Sequence, residues 1–218
     1  MKASGPTFDG AEPAPRTCPV PSGVGESAIC KPDNWFEPLN WRAVFPREQP
    51  IEIDLGCGKG SFLLWAARSY PQRNFLGVER LLRRLRRADR KAVRDGLENI
   101  RLIRVEATYL IAKLIPDVSV ATYHVLFPDP WPKRRHHSKR LICAPVLVEM
   151  HRTLAAGGLV NCATDHEEYY AWIQREFQKS GQFVEQEIEL LPPEAWTDFE
   201  KDFIAAGKAV YRCRWQKR

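Results

Sequence analysis

Long apolar runs and paired cysteines are both missing from this 218-residue chain. No stretch approaches the roughly 18 consecutive apolar residues of a membrane-spanning helix, and the opening MKASGPTFDG has no apolar segment of the kind a secretory leader carries. The expectation is a soluble protein without a membrane partner. The six cysteines stand at 18, 30, 57, 143, 162 and 213, with no CxxC pair and no metal-type spacing. A disulfide framework belongs to shorter, secreted chains, so a reduced, cytoplasmic setting is expected, and no metal.

Acid is in the minority. The chain has 33 Lys and Arg against 27 Asp and Glu, for a net charge of +6. Residues 1–50 hold five basic and six acidic side chains, so the excess lies beyond them. A basic domain favours an acidic partner, nucleic acid first and an anionic membrane surface second.

Nine of the 17 prolines also fall in residues 1–50, and residues 1–30 have neither helical nor strand periodicity. Such a composition buries too little apolar surface to offset ordering entropy, which predicts a disordered tail over 1–30. Trp35, Phe36, Leu39, Trp41, Val44 and Phe45 then predict an arm over 31–50 that docks on the domain. The main folded domain is expected to occupy 51–218.

From residue 51 strand and helix patterns alternate: IEIDL, then a helix from KGSF; NFLGVE, then LLRRLRRADRKAVRDG; IRLIRVEA, then a short helix; VATYHVLF, then a helix over 139–155; GLVNCAT, then a helix over 166–180. Alternation of this kind means a mostly parallel sheet with helices on both faces. QFVEQEIEL and KAVYRCRWQ follow, joined by a loop-like link over 190–207, and read as an antiparallel hairpin at the sheet edge. The expected fold is α/β with seven strands.

IEIDL runs into GCGKG and a helix. Glycines there let the backbone turn tightly against a ligand, with the helix N-terminus adding a favourable dipole. A dinucleotide site or a plain strand-to-helix turn reads much the same. The dinucleotide pattern needs a third glycine at 61, where this chain has Ser61, and Glu79 closes the second strand, where an acid accepts the ribose hydroxyls of an adenosine. The whole order, with Glu52 before Gly56 and Gly58, then Glu79, then Glu106, then an acid between prolines, resembles the class I S-adenosylmethionine-dependent methyltransferases, which have a Rossmann-like fold. Glu106 also reads as a solvated strand-end acid.

FPDPWPKRRHHSKR, residues 127–140, follows the fourth strand of that series, where open parallel sheets bind ligands. Pro128, Pro130 and Pro132 have fixed φ and no N–H, so the loop is stiff and aims Asp129 and Trp131. The alternative is a structural turn around a buried Trp. Lys133, Arg134, Arg135, Lys139 and Arg140 form a block that reads either as a solvated face or, beside such a loop, as a phosphate-binding rim. A second block, in 80–94, leaves Leu81, Leu85, Ala88 and Ala92 as a buried stripe, and its arginines are either further RNA contacts or a solvated face. Asp165 ends the strand GLVNCAT on the same rim. In TDFEKDF, Thr197 and Glu200 suit a base edge and equally suit a capping box.

Taken together, EIDLGCGKGSF, FLGVE, FPDPWPKRRHHSKR, ATD and TDFEKDFIAAGKAVY are similar in order and spacing to the tRNA (guanine-N7-)-methyltransferase family, over residues from about 33 to 218. The resemblance implies methyl transfer from S-adenosyl-L-methionine to N7 of a guanine in tRNA, the guanosine at position 46 of the variable loop, leaving S-adenosyl-L-homocysteine. It implies donor contacts from Glu52, Gly56, Gly58, Glu79, Glu106 and Asp129. Substrate contacts are implied from Lys133, Asp165, Thr197, Asp198, Phe199 and Glu200, with Asp129 also catalytic. A monomer or homodimer is expected, and whether an accessory subunit joins it is left open. A methyltransferase for an exocyclic amine or a protein, and a non-catalytic tRNA-binding subunit, are the alternative readings.

Overall fold

The computed structural model describes residues 26–218. The tail expected over 1–30 therefore lies outside the described residues as far as 25. Its last residues do not fit that expectation: Ile29–Cys30 form a two-residue strand, β1.

The remaining strands are β2 (Ile51–Leu55), β3 (Asn74–Val78), β4 (Ile100–Ile103), β5 (Val120–Leu126), β6 (Leu154–Thr164), β7 (Phe183–Gln186) and β8 (Tyr211–Lys217). They form one sheet in the order β1-β4-β3-β2-β5-β6-β8-β7, and β8 is the strand that runs antiparallel to its neighbours. Eight strands stand where seven were expected. The extra one pairs in parallel with β4, whose edge would otherwise be bare, and is held there by Asp89, which accepts from Ala28 N at 2.7 Å. Two residues carry no readable period, so no local pattern announced it.

Among the helices are α1 (Trp41–Val44), α2 (Ser61–Ser69), α3 (Leu82–Arg94), α4 (Ala107–Tyr109) running into a π-helical turn (Leu110–Leu114), α5 (Ala144–Thr153), α6 (Glu167–Ser180) and α7 (Asp198–Ala205). β2 and β3 are buried at every position because apolar clusters cover both faces. α2 and α3 cover one face, while α5, α6 and the arm around Leu39, Val44 and Phe45 cover the other. The predicted helix over 139–155 is a 3-10 turn (Arg134–Lys139) followed by α5, which starts at Ala144 with Pro145 in its first turn. α7 lies inside the link expected to be a loop. Thr197 begins it, its hydroxyl accepting from Glu200 N at 3.0 Å.

Candidate active site

The carboxyl ends of β2, β3 and β5 open on one cleft of about 440 Å³. Gly56, Glu79, Glu106, Asp129, Asp165 and Phe199, six of the residues singled out from the sequence, line it. They come from six segments spread over more than a hundred residues. The parallel order of the sheet puts the loop after each strand on the same rim.

The first wall is the glycine turn. Gly56 N and Cys57 N each donate to Val78 O at 2.9 Å, fixing the turn to β3. Gly56 has φ +90, and a Cβ built there would meet no protein atom within 4 Å, so its open side faces the cleft. Gly60 has φ +78, and a Cβ there would stand 2.9 Å from Ala88 Cβ, which lets α2 pack closely on α3. A smaller hollow of about 140 Å³ adjoins the turn and is lined by Asp54, Gly58, Lys59, Ser61, Thr197 and Asp198, among others. Asp54, Lys59 and Ser61 were not among the expected site residues. The only signal for them was their place in IDLGCGKGS.

Asp54 is buried, and burial pushes its carboxyl up to about 7; His124 opposes the push and the charge of Glu79 adds to it. Glu79 Oε1 accepts from Leu81 N at 2.7 Å, which holds its carboxylate at the start of α3. Glu106 is exposed and begins α4, accepting from Tyr109 N at 3.0 Å. A turn open to a ligand, flanked by an acid after each of the next two strands, suits an adenosine with a zwitterionic tail.

The second wall is the stiff loop. Phe127 and Trp131 have φ of 55 and 43, left-handed values that are costly for non-glycine residues and need surrounding structure to hold them. Arg140 supplies it, donating from Nε to Pro130 O at 2.9 Å. Its guanidinium lies 5.1 Å from the Tyr169 ring centroid and 4.8 Å from that of Trp172, and it is 2% exposed. Arg140 is thus a brace and no part of a solvent-facing rim. Asp129 is exposed at the cleft, and Lys139 Nζ sits 4.9 Å above the Trp131 ring. Lys133, Arg134 and Arg135 project beyond the cleft and are exposed.

α7 closes the third side. Asp198 accepts from Ser61 Oγ at 2.5 Å and pairs with Lys59 at 2.9 Å; burial alone would raise its carboxyl, but those two partners hold it below the usual value. Phe203 meets Phe127 at 5.6 Å, and Lys208 pairs with Asp165 at 3.1 Å. Glu200 points the other way, buried and bonded to Arg212. Thr197 and Glu200 accordingly form the helix cap and a buried pair here.

Glu52 also stays outside the cleft. It is buried in β2, 2.8 Å from His124 Nε2 and 2.5 Å from Arg73, on a separate cavity lined by Phe62, Trp65 and Trp196. Burial raises its carboxyl, yet the bonds from His124 and Arg73 bring it below the usual value. Spacing alone could not tell this, because Glu52 and Asp54 lie two residues apart on the same face of β2 and only the latter reaches the turn.

The sheet order, with the glycine turn and the acids at successive strand ends, is the fold of the class I S-adenosylmethionine-dependent methyltransferases. The structures it resembles have that fold: the 16S rRNA methyltransferase KamB at TM-score 0.60 with 15% identity, covering 81% of this chain and 92% of that one, and an S-adenosylmethionine-dependent methyltransferase from Aquifex aeolicus at TM-score 0.55 with 12% identity, covering 79% and 84%. A family model described as "Putative methyltransferase" matches residues 48–213. The chain is 34% identical over 183 residues to a tRNA (guanine-N(7)-)-methyltransferase of Thermotoga maritima, covering 83% of this chain and 58% of that protein. To the protein of the same name from Geobacillus kaustophilus it is 31% identical over 188 residues, covering 84% and 86%. The chain belongs to the tRNA (guanine-N(7)-)-methyltransferase family.

Proposed function

We propose that the protein transfers the methyl group of S-adenosylmethionine to N7 of a guanine in tRNA. The observation that carries this reading is the convergence of Gly56, Glu79, Glu106 and Asp129 on one cleft, with Lys139 on its wall and an exposed basic run just beyond. Membership of the family supports the choice of base and atom.

Bound S-adenosylmethionine supplies an electrophilic methyl on a sulfonium. Guanine N7 has a lone pair and no proton, so the N7–carbon bond forms as the carbon–sulfur bond breaks, and no general base is needed. Positive charge then grows on the purine. The Asp129 carboxylate, at the cleft on a loop held rigid by three prolines and Arg140, stabilises that charge without having to reorganise. Trp131 offers a flat wall to the base, and in-line alignment accounts for most of the rate. Glu79 and Glu106 take the adenosine, Gly56 and Gly58 the chain next to it, and Asp54 the donor's ammonium.

Of the residues expected to meet RNA, Asp165 and Phe199 line the cleft and Lys133 is exposed outside it; the reading assigns the first two to the base and Lys133 to a phosphate. Thr197, Asp198 and Glu200 act through α7, which carries Phe199. No described helix is long and apolar enough to cross a membrane.

The test is incubation with unmodified tRNA and methyl-labelled donor, then borohydride reduction and aniline cleavage. Label that co-migrates with a cleavage at one guanine is the expected result. Label on tRNA without cleavage would move the reaction to another atom.

A further inference from the structure

α3 carries more positive charge than the fold uses. Its thirteen residues include six arginines, one lysine and a single acid. The acid, Asp89, is turned to Ser27 Oγ at 3.0 Å and Ala28 N at 2.7 Å. Arg84 lies 3.8 Å from Glu79, and Arg94 bonds Asp95 at 2.8 Å. Arg83, Arg86, Arg87 and Arg90 are exposed and, among the described residues, have no ion pair or hydrogen bond. They neighbour one another at i+3 and i+4, where like charges repel, and no interspersed acid relieves them.

Position matters as much as charge. Arg80, Leu81 and Arg84, at the start of α3, line the cleft together with Trp131 and Lys139 of the stiff loop and the turn after it. Basic tracts thus flank the cleft on both sides, residues 133–139 on one and α3 on the other. From Arg83 to Arg90 the α3 tract runs about 10 Å at 1.5 Å per residue. All four free residues are arginine, whose planar fork matches a phosphate. Leu85, Ala88 and Ala92 are buried against α2 and the sheet, while Leu81, expected in the same stripe, is half exposed where it lines the cleft, so no continuous apolar face is left to insert into a bilayer.

We propose that Arg83, Arg86, Arg87 and Arg90 form a second phosphate-binding tract, which seats the tRNA backbone on the side of the cleft opposite residues 133–139. This rests on the methyltransferase reading above. Phosphate contacts carry no sequence information, so the tract positions the strand and makes a long RNA a better substrate than a short one.

The test uses the full chain with Arg83, Arg87 and Arg90 changed together to Gln, and Arg87→Gln alone. Binding of tRNA is measured across a salt series. The slope of log affinity against log salt should fall by roughly 0.7–0.9 for each contact removed, so by about 2 in the triple variant. KM for tRNA should rise by about tenfold or more at moderate salt, with kcat at saturating tRNA and S-adenosylhomocysteine affinity unchanged. If the triple variant does not fold, as its lost S-adenosylhomocysteine binding would reveal, the slope of Arg87→Gln decides. A wild-type slope and KM in a variant that binds S-adenosylhomocysteine normally overturns the proposal. So does loss of binding to phosphatidylserine vesicles while tRNA binding stays intact. A wild-type chain that binds tRNA through α3 yet transfers no methyl group would overturn the proposed reaction and leave the tract standing.

Discussion

Arg140 Nε donates to the carbonyl of Pro130 at 2.9 Å, so the last cation of the basic run is spent on the loop that carries Asp129. The same guanidinium reaches Glu168 at 3.1 Å and fills the space between Tyr169 and Trp172. A loop with two left-handed non-glycine residues is held from below by one buried side chain.

Arg140→Ala should therefore act on the stability of the loop and leave the salt dependence of RNA binding alone. Losing a buried charged hydrogen bond and its packing costs about 2–3 kcal/mol, or roughly 5–10 °C of Tm in a chain of this size. Arg140→Lys should recover little, because an ammonium cannot reproduce the planar fork. Thermal melts together with the tRNA salt slope check this: the melting temperature falls and the slope stays.

Asp129→Asn keeps the shape of the loop and removes its charge. Turnover at saturating substrates should drop by about 10²–10³, the loss typical of one aimed electrostatic group, while S-adenosylhomocysteine affinity changes by less than about threefold. Single-turnover rates and calorimetric titration separate the two. Equal losses in both would make Asp129 a donor ligand and nothing more.

Asp54 sets a pH dependence. Its folded-state value of about 7 lies above the usual 3.8, so between the two the folded protein holds a proton that the unfolded chain has released. Its contribution to stability is present at low pH and is lost as pH rises toward and through 7, by up to on the order of 4 kcal/mol. Asp54→Asn removes that dependence, so the variant should gain on the wild type between pH 5 and 8 in melts without ligand. A ligand ammonium prefers the ionised acid, so S-adenosylhomocysteine affinity should rise through pH 7 in the wild type and stay flat in the variant.

Glu52→Gln tests whether the acid two residues earlier belongs to the site. With its carboxylate bonded to His124 and Arg73 away from the cleft, the substitution should lower stability by about 1–3 kcal/mol and leave S-adenosylhomocysteine affinity intact. A large loss of affinity at unchanged Tm would return Glu52 to the donor.

The alternation of strand and helix, the glycine turn and the acids at strand ends were legible in the chain because burial imposes local periods and a parallel sheet gathers the loops after its strands on one rim. Gly56, Glu79, Glu106 and Asp129 could be placed on one rim on that ground, and their grouping around a donor came from the family resemblance. What the chain did not reveal is how each charge is used. Arg140 and Lys139 are neighbours in one basic run, yet one is buried against α6 and the other faces the cleft. Glu52 and Asp54 share a strand face but serve different cavities, and Thr197 to Glu200 turned out to form a capped helix. These outcomes depend on partners such as His124, Arg212 and Trp172, which lie 12 to 72 residues away in the chain. Composition and period determined the fold and the rim, whereas only the packed sheet, by choosing which distant side chains meet, decided which ions are paired inside and which are left for a ligand.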